Sequence, residues 1–503
     1  MKRFYITTPL YYVNDKPHIG HAYTTILADV ISRYNQLIGN EVFFLTGTDE
    51  HGQKVQEAAE KSKTTPEKHV EKYHKNFVAL WKKLNINYDK FIRTTDKQHI
   101  EKVQKMLNFL WENEEIYLDE YEGLYSVSEE RFITEKEHEE GNYREIKKLK
   151  EKNYFFKMSK YQDQLIKYIN DNPDFILPES RKNEILGFLK KPLGDLCISR
   201  PKERLKWGIE IPFDSNYVTY VWFDALLNYI TGIEWDKDDS FFKKWWPANY
   251  HLIGKDIITT HAVYWITMLM AAKLPLPKHI LAHGWWLIDD MKMSKSTGNV
   301  VDPIKLIDYY GEDCVRFFLM REMTLGQDAS FSFELFKRRY NDDLANDLGN
   351  LLNRITILIG KFCNHSVPII KSTDEVDNNL ISSIKELPKK ALDSIKELKI
   401  NASIEYVMSL VRSINKYLEI KEPWKSLKEN PKNQSGLNTL SISCEAIALS
   451  AKLLYPVMPK KCEEIFNILG IDKTSISNLD FETISENSIK PHKALFPRIE
   501  NDD

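Results

Sequence analysis

Cysteine is scarce. Five stand in 503 residues (Cys197, Cys314, Cys363, Cys444 and Cys462), and no two form a CxxC pair. An odd, scattered set fits a reducing cytosol better than a disulfide framework, so a cytoplasmic location is expected. Long apolar runs are also missing. The longest, Ala262 to Ala272, is 11 residues, short of the roughly 20 a membrane span needs, and no membrane partner is expected. The N-terminus MKRFYITTPLYYVND is basic but has neither an apolar core nor a small-residue cleavage site, so it reads as a strand and loop. Neither sign of charge dominates: 70 basic against 73 acidic residues give −3. No global positive field is available to attract nucleic acid, and a nucleic-acid partner would have to be met by local patches. Walker-type and GxGxxG loops are absent. The nearest approach, Gly47 to Gly52, continues into Gln53 rather than Lys-Ser/Thr, so any phosphate must be handled by another device.

What is present is globular. Hydrophobic residues are 42 %, charged residues 28 % and aromatic residues 12 %, and the length suggests roughly three domains. Arg3–Thr7 and Glu41–Thr46 are β-branched and aromatic runs, and His21–Leu37 between them has apolar residues at helical spacing. Strand, helix, strand predicts a βαβ unit and a parallel sheet. His69–Leu84 and Gln98–Glu114 read as helices. Residues 119–212 change character, with short strands at Gly123–Val127 and Asn153–Met158 and a charge run at Glu129–Lys152 that reads as a solvated loop or hairpin. Strand-like segments return at Tyr217–Asp224, Tyr250–Gly254 and His279–His283, with an apolar helix at Thr259–Leu274. From Glu334 the pattern is helical, broken at Pro368, Pro423, Pro456 and Pro459. The expected fold is α/β: a Rossmann-like parallel-sheet domain split by a connective insertion, then an α-helical bundle. The boundaries are 1–118 and 213–288 for the sheet domain, 119–212 for the insertion, 289–340 for a loop and stem-contact region, and 341–503 for the bundle.

Two motifs carry chemistry. His18-Ile19-Gly20-His21 follows the first strand at a helix start. A helix N-terminus favours phosphate, imidazole donors stabilise charge on a transferring phosphate, and Gly20 permits close backbone approach. By itself the pair could equally be a cap, a core cluster or part of a metal site lacking a visible third ligand. Lys292-Met293-Ser294-Lys295-Ser296, followed by Thr297-Gly298-Asn299, offers two mobile point charges on a loop able to close. Alone it could be a solvated turn.

HIGH near the start of a sheet domain and KMSKS near its end form the signature pair of class I aminoacyl-tRNA synthetases. With Thr8-Pro9-Leu10-Tyr11-Tyr12, Thr48-Asp49-Glu50-His51-Gly52, Tyr220-Val221-Trp222-Phe223-Asp224-Ala225, Gly254-Lys255-Asp256, His283-Gly284-Trp285 and Asp347-Leu348-Gly349-Asn350, the chain resembles the methionyl-tRNA synthetase family from Phe4 to Phe496. The resemblance implies ATP and L-methionine as substrates, Mg²⁺ with the nucleotide, and methionine tRNA, initiator and elongator, as partner. It implies that His18, His21, Lys292 and Lys295 are catalytic, and that these four with Gly20, Gly254, Asp256 and Ser294 bind ATP. Leu10, Tyr12, Asp49, Trp222, Tyr229 and His261 would form the methionine pocket, with Asp49 on the ammonium group. Asn350, Arg354 and Trp424 would read the anticodon. Without the resemblance, Asp256 reads as a helix N-cap, and Trp222, Tyr229 and Trp424 read as core.

Three departures matter. Leu226 stands where a proline often occurs in the family, which touches fine pocket shape. Tyr125-Ser126-Val127-Ser128-Glu129 replaces a Tyr-Cys-x-x-Cys element, and Gly141–Lys148 has no cysteine. Without thiolates a tetrahedral zinc site cannot be built, so no zinc is expected. The sequence ends soon after Leu495–Ile499, as in bacterial short forms without a C-terminal dimerisation module, and a monomer is expected. The competing expectations are a class I synthetase for leucine, isoleucine, valine or cysteine, and a tRNA-binding protein with a dead catalytic centre. The missing large editing insertion and the intact histidines and lysines speak against them.

Overall fold

The structure is a computed structural model of the chain. It describes residues 2–126, 131–133, 138, 146–288, 291–292 and 301–499.

Seven strands among the described residues make one sheet, and every pairing in it is parallel. Arg3–Thr7 lies at the centre, between Glu41–Asp49 and Tyr250–Gly254. His279–His283 and the two-residue strand Ile176–Leu177 extend the sheet beyond Tyr250–Gly254. Tyr11–Tyr12 and Lys90–Arg93 both pair with Glu41–Asp49. The central strands are near-continuous apolar runs because both faces of a parallel sheet are covered. Alternation separates the faces: Phe4 and Ile6 pack into one core and Tyr5 into another. The first core lies over the helix Ile19–Leu37 and continues without a break into the C-terminal helices.

The insertion has its own antiparallel sheet. Ile116–Ser126 pairs with Ile146–Phe156, so part of the charge run is strand rather than loop. Leu196–Cys197 adds to its edge. Of the positions where cysteines would be needed, 126 holds the buried Ser126 at the end of the first strand, and 129 and 141–145 lie outside the described residues. Tyr217–Asp224 is corrected by the structure: the strand is Asp214–Thr219, and Val221–Leu226 is helix. Val221 and Phe223 are buried while Trp222 between them is partly exposed to the cavity, and such a short apolar run fits a core helix as well as a strand.

The C-terminal helices are Asn350–Phe362, Glu375–Lys396, Ile400–Lys421, Pro423–Glu429, Gln434–Leu454 and Pro459–Ile468. Pro423 and Pro459 each open a helix, where their missing N–H costs nothing. Gln434–Leu454 is, among the described residues, long and apolar enough to cross a membrane. Yet 94 % of its apolar window is buried inside the fold, as the central helix of the bundle. The final segment returns to the start of the bundle: Tyr340 donates to the Pro497 carbonyl at 2.8 Å, and Asn341 bonds both ways with the Ile499 backbone at 3.1 Å.

Candidate active site

The carboxyl ends of Arg3–Thr7, Glu41–Asp49 and Tyr250–Gly254 open into a cavity of about 470 Å³. Such crevices are where open α/β sheets bind ligands. Of the residues expected from sequence, Leu10, Tyr12, His18, Gly20, His21, Asp49, Trp222, Gly254 and Asp256 all line it.

The histidine pair is built into the start of Ile19–Leu37. His18 is the N-cap. Its Nδ1 accepts the Gly20 N–H at 3.1 Å, and its own N–H is accepted by His21 Nδ1 at 3.1 Å. This is a capping box in which imidazoles replace the usual hydroxyl and carboxamide. Both Nδ1 atoms are acceptors, so the ring proton of each neutral imidazole is on Nε2. The rings lie 3.8 Å apart, and His21 packs edge-on against Tyr11 and Phe77. Gly20 has a second reason beyond close approach of a ligand: a Cβ there would stand 2.9 Å from His18 Cε1.

Asp49 ends its strand, buried beside the cavity and paired in register with Tyr12. Asp256 is exposed, in a single turn Lys255–Ile257 directly after Tyr250–Gly254. Trp285 Nε1–H donates to its Oδ1 at 3.3 Å.

Tyr229 and His261 do not line the cavity. They lie beneath it, each 1 % exposed, with the Tyr229 hydroxyl 2.7 Å from His261 Nε2. His261 Nδ1–H donates to the Ile257 carbonyl at 2.8 Å, so Nε2 accepts the tyrosine proton. Burial pushes His261 down to about 4 and Tyr229 well up, so both are neutral. Trp222 connects them to the cavity wall, its ring meeting His261 edge-on at 6.1 Å.

Lys292 ends a short strand, Met291–Lys292, that pairs with Trp286–Ile288. Ser294 and Lys295 lie outside the described residues.

Several residues around the cavity were not assigned a role from sequence. His51 Nδ1 meets Asp224 Oδ2 at 2.9 Å, both buried, which staples the Asp49 segment to the helix carrying Trp222. Burial pushes the Asp224 carboxyl up against the opposing pull of His51. Next to it, Glu50 is wholly buried and takes a bidentate grip from Arg93 at 2.8 and 3.0 Å. His283 Nε2 lies 2.8 Å from Thr24 Oγ1 and its Nδ1–H donates to the Gly284 carbonyl at 2.7 Å, joining the sheet to the histidine helix. The TDEHG and HGW segments were visible in the sequence, but their partners are far along the chain.

In the bundle, Asn350 and Arg354 stand one turn apart on the same helix face. The Arg354 guanidinium lies 4.8 Å over the half-buried Trp424 ring and bonds Glu419 at 2.6 Å. The three positions expected to read an anticodon thus include one that is exposed, Asn350, and a stacked arginine–tryptophan pair.

Comparison with known proteins agrees with this architecture. A family described as tRNA synthetases class I (M) matches residues 4–147 and 140–356, and an anticodon-binding domain of tRNA ligase matches 377–500. Fold and site therefore define a class I tRNA synthetase. Methionine--tRNA ligase of Clostridium tetani is 46 % identical over 99 % of this chain and 79 % of its own length, and that of Bacillus subtilis is 42 % identical over 99 % and 78 %. A Mycobacterium tuberculosis methionyl-tRNA synthetase in complex with methionyl-adenylate superposes with a TM-score of 0.95 at 38 % identity, covering 99 % of this chain and 100 % of that one. The free-state enzyme of the same organism gives 0.88 at 35 %, covering 100 % and 99 %. The chain belongs to the methionine–tRNA ligase family of class I tRNA synthetases.

Proposed function

We infer that the chain joins L-methionine to methionine tRNA, initiator and elongator, in two ATP-dependent steps. The observation that carries this reading is the convergence of His18, His21, Asp49 and Asp256 on one cavity at the carboxyl ends of the sheet strands. A methionine carboxylate oxygen attacks the α-phosphorus of ATP, the bond to the β-phosphate oxygen breaks, and pyrophosphate leaves. A terminal ribose hydroxyl of the tRNA then attacks the methionyl carbonyl and AMP leaves. No covalent bond to the enzyme forms, so the chain acts by positioning and by electrostatics.

Asp49 supports the first role, as partner of the substrate ammonium group. The thioether would lie against Leu10, Tyr12 and Trp222, because aromatic walls suit a polarizable sulfur. Tyr229 and His261 act from below, as a neutral hydrogen-bonded floor. The Nε2–H donors of His18 and His21 are aimed by their own capping bonds and need no reorientation when charge builds on the phosphates. Gly254 and Asp256 would receive the ribose. Lys292, Ser294 and Lys295 would hold the departing pyrophosphate, with Lys295 the main cation. Mg²⁺ would neutralise adjacent phosphate charges. Among the described residues no group of three His, Cys, Asp or Glu side chains could cage it, so it fits as an ion carried on the nucleotide oxygens. Asn350, Arg354 and Trp424 would meet unpaired anticodon bases by edge bonds and stacking.

Charging of a methionine tRNA transcript with labelled methionine tests the reading. Acid-stable, alkali-labile methionyl-tRNA that needs ATP is expected. Folded protein that binds the transcript but never charges it would leave the tRNA-binding reading instead.

A further inference from the structure

Asp328 lies in the segment that follows the helix Glu312–Glu322 and leads into the strand Ala329–Ser330, which pairs with Trp286–Leu287. It has no place in the roles given above. Its two carboxylate oxygens hold two different things. Oδ2 lies 2.7 Å from Lys255 Nζ, and Oδ1 accepts the Trp285 backbone N–H at 2.8 Å. Both partners flank Asp256. Lys255 precedes it in the chain and lies 4.1 Å over the Trp285 ring, and the Trp285 indole N–H reaches Asp256 Oδ1 at 3.3 Å. The backbone around Asp328 is fixed as well: a Cβ on Gly284 would stand 2.0 Å from the Gln327 carbonyl oxygen, and Ala329 N–H donates to the Trp285 carbonyl at 3.0 Å.

We propose that Asp328 is a positioning residue for the nucleotide end of the cavity, setting the orientation of Asp256 through Lys255 and Trp285. The physical argument is one of order. A carboxylate on an exposed single turn, such as Asp256, samples many orientations. One indole donor orients it only if the indole is itself held. Asp328 holds Trp285 from two sides, at its backbone N–H and, through the Lys255 ammonium, at its ring face. The same carboxylate sits beside the strand pair that leads to Lys292. The site is therefore braced by a residue that touches no substrate.

The inference rests on the reading of Asp256 as the ribose partner, and the test separates the two. Methionine-dependent ATP–pyrophosphate exchange would be measured for Asp328→Ala, Asp328→Asn, Asp256→Ala and the Asp328→Ala/Asp256→Ala pair, each checked for a wild-type melting transition. Asp328→Ala should raise the KM for ATP about tenfold with the KM for methionine unchanged. Asp328→Asn keeps an acceptor for the Trp285 N–H and loses the charge facing Lys255, so it should fall between Asp328→Ala and wild type. In the Asp256→Ala background, Asp328→Ala should have little further effect, as expected for groups acting in series. Additive effects, or equal rises in both KM values, overturn the proposal while leaving the ribose role of Asp256 standing. An unchanged KM for ATP in Asp256→Ala overturns both. Should Asp328→Ala fail to fold, Asp328→Asn carries the same comparison.

Discussion

Arg316 Nη2 meets Asp29 Oδ2 at 2.6 Å with both side chains wholly buried. The guanidinium also donates to the carbonyls of Leu84, Pro456 and Val457 at 3.1, 2.8 and 2.8 Å. Five residues after Asp29 on the histidine helix, Tyr34 donates to the Leu453 carbonyl at 2.8 Å. The helix that begins at the cavity is thus fastened at its middle and far end to the central helix of the bundle and the turn after it. Arg316→Ala leaves Asp29 buried without that cation. It should lower unfolding free energy by about 3 kcal/mol, the low end for a broken buried pair, because Arg33 and the Asn87 N–H still bind Asp29. Urea denaturation reads it, and a loss below about 1 kcal/mol would mean the pair contributes no more than an exposed one.

His21→Ala removes one aimed donor and loosens the cap on its partner ring. Adenylate formation in single-turnover experiments should slow by about 10²–10³-fold, the range for loss of a transition-state donor. Methionine binding measured by calorimetry should stay within a factor of two or so of wild type. A near-normal adenylation rate would remove His21 from the mechanism.

Trp424→Ala should raise the tRNA KM for charging by about 5- to 150-fold, the worth of one base stacked on an aromatic ring. It should leave tRNA-independent exchange untouched. If both activities fell together, Trp424 would be a packing residue of the bundle.

His99 gives a pH dependence with a definite sign. It is buried, bonds Thr231 at 2.8 Å, and is pushed down to about 3 by burial, with His51 adding to the shift. Its folded value lies below the unfolded one, so its contribution is complete above pH ~6.5 and is lost as pH falls toward the folded value. Wild type should lose stability relative to His99→Gln between pH 7 and 5, with a slope approaching about 1.4 kcal/mol per unit. Parallel curves for the two proteins would show that His99 does not titrate differently on unfolding.

Much of this was legible in the sequence because its signals are local. Arg3–Thr7, Tyr250–Gly254 and His279–His283 were readable from their apolar and β-branched residues, and each strand has the predicted bounds. The histidine helix begins at Ile19 rather than His21, because His18 caps it. Tyr217–Asp224 misled because aromatic runs suit buried helix and strand alike. Tyr229 and His261 were expected to form the methionine pocket and lie buried beneath the cavity, a depth that no sequence period announces. Trp285 and Asp328 are 43 residues apart, and nothing local in either segment announces the other. The same holds for Arg316 and Asp29, joined across 287 positions.

Amino-acid-dependent ATP–pyrophosphate exchange, run with each of the twenty amino acids and Mg²⁺, tests the central claim most directly. The account predicts exchange with methionine. Homocysteine should be a weaker second substrate, because one methylene in an apolar pocket is worth only about 1–3 kcal/mol. Exchange driven by a different amino acid, or by none from folded protein, would contradict it.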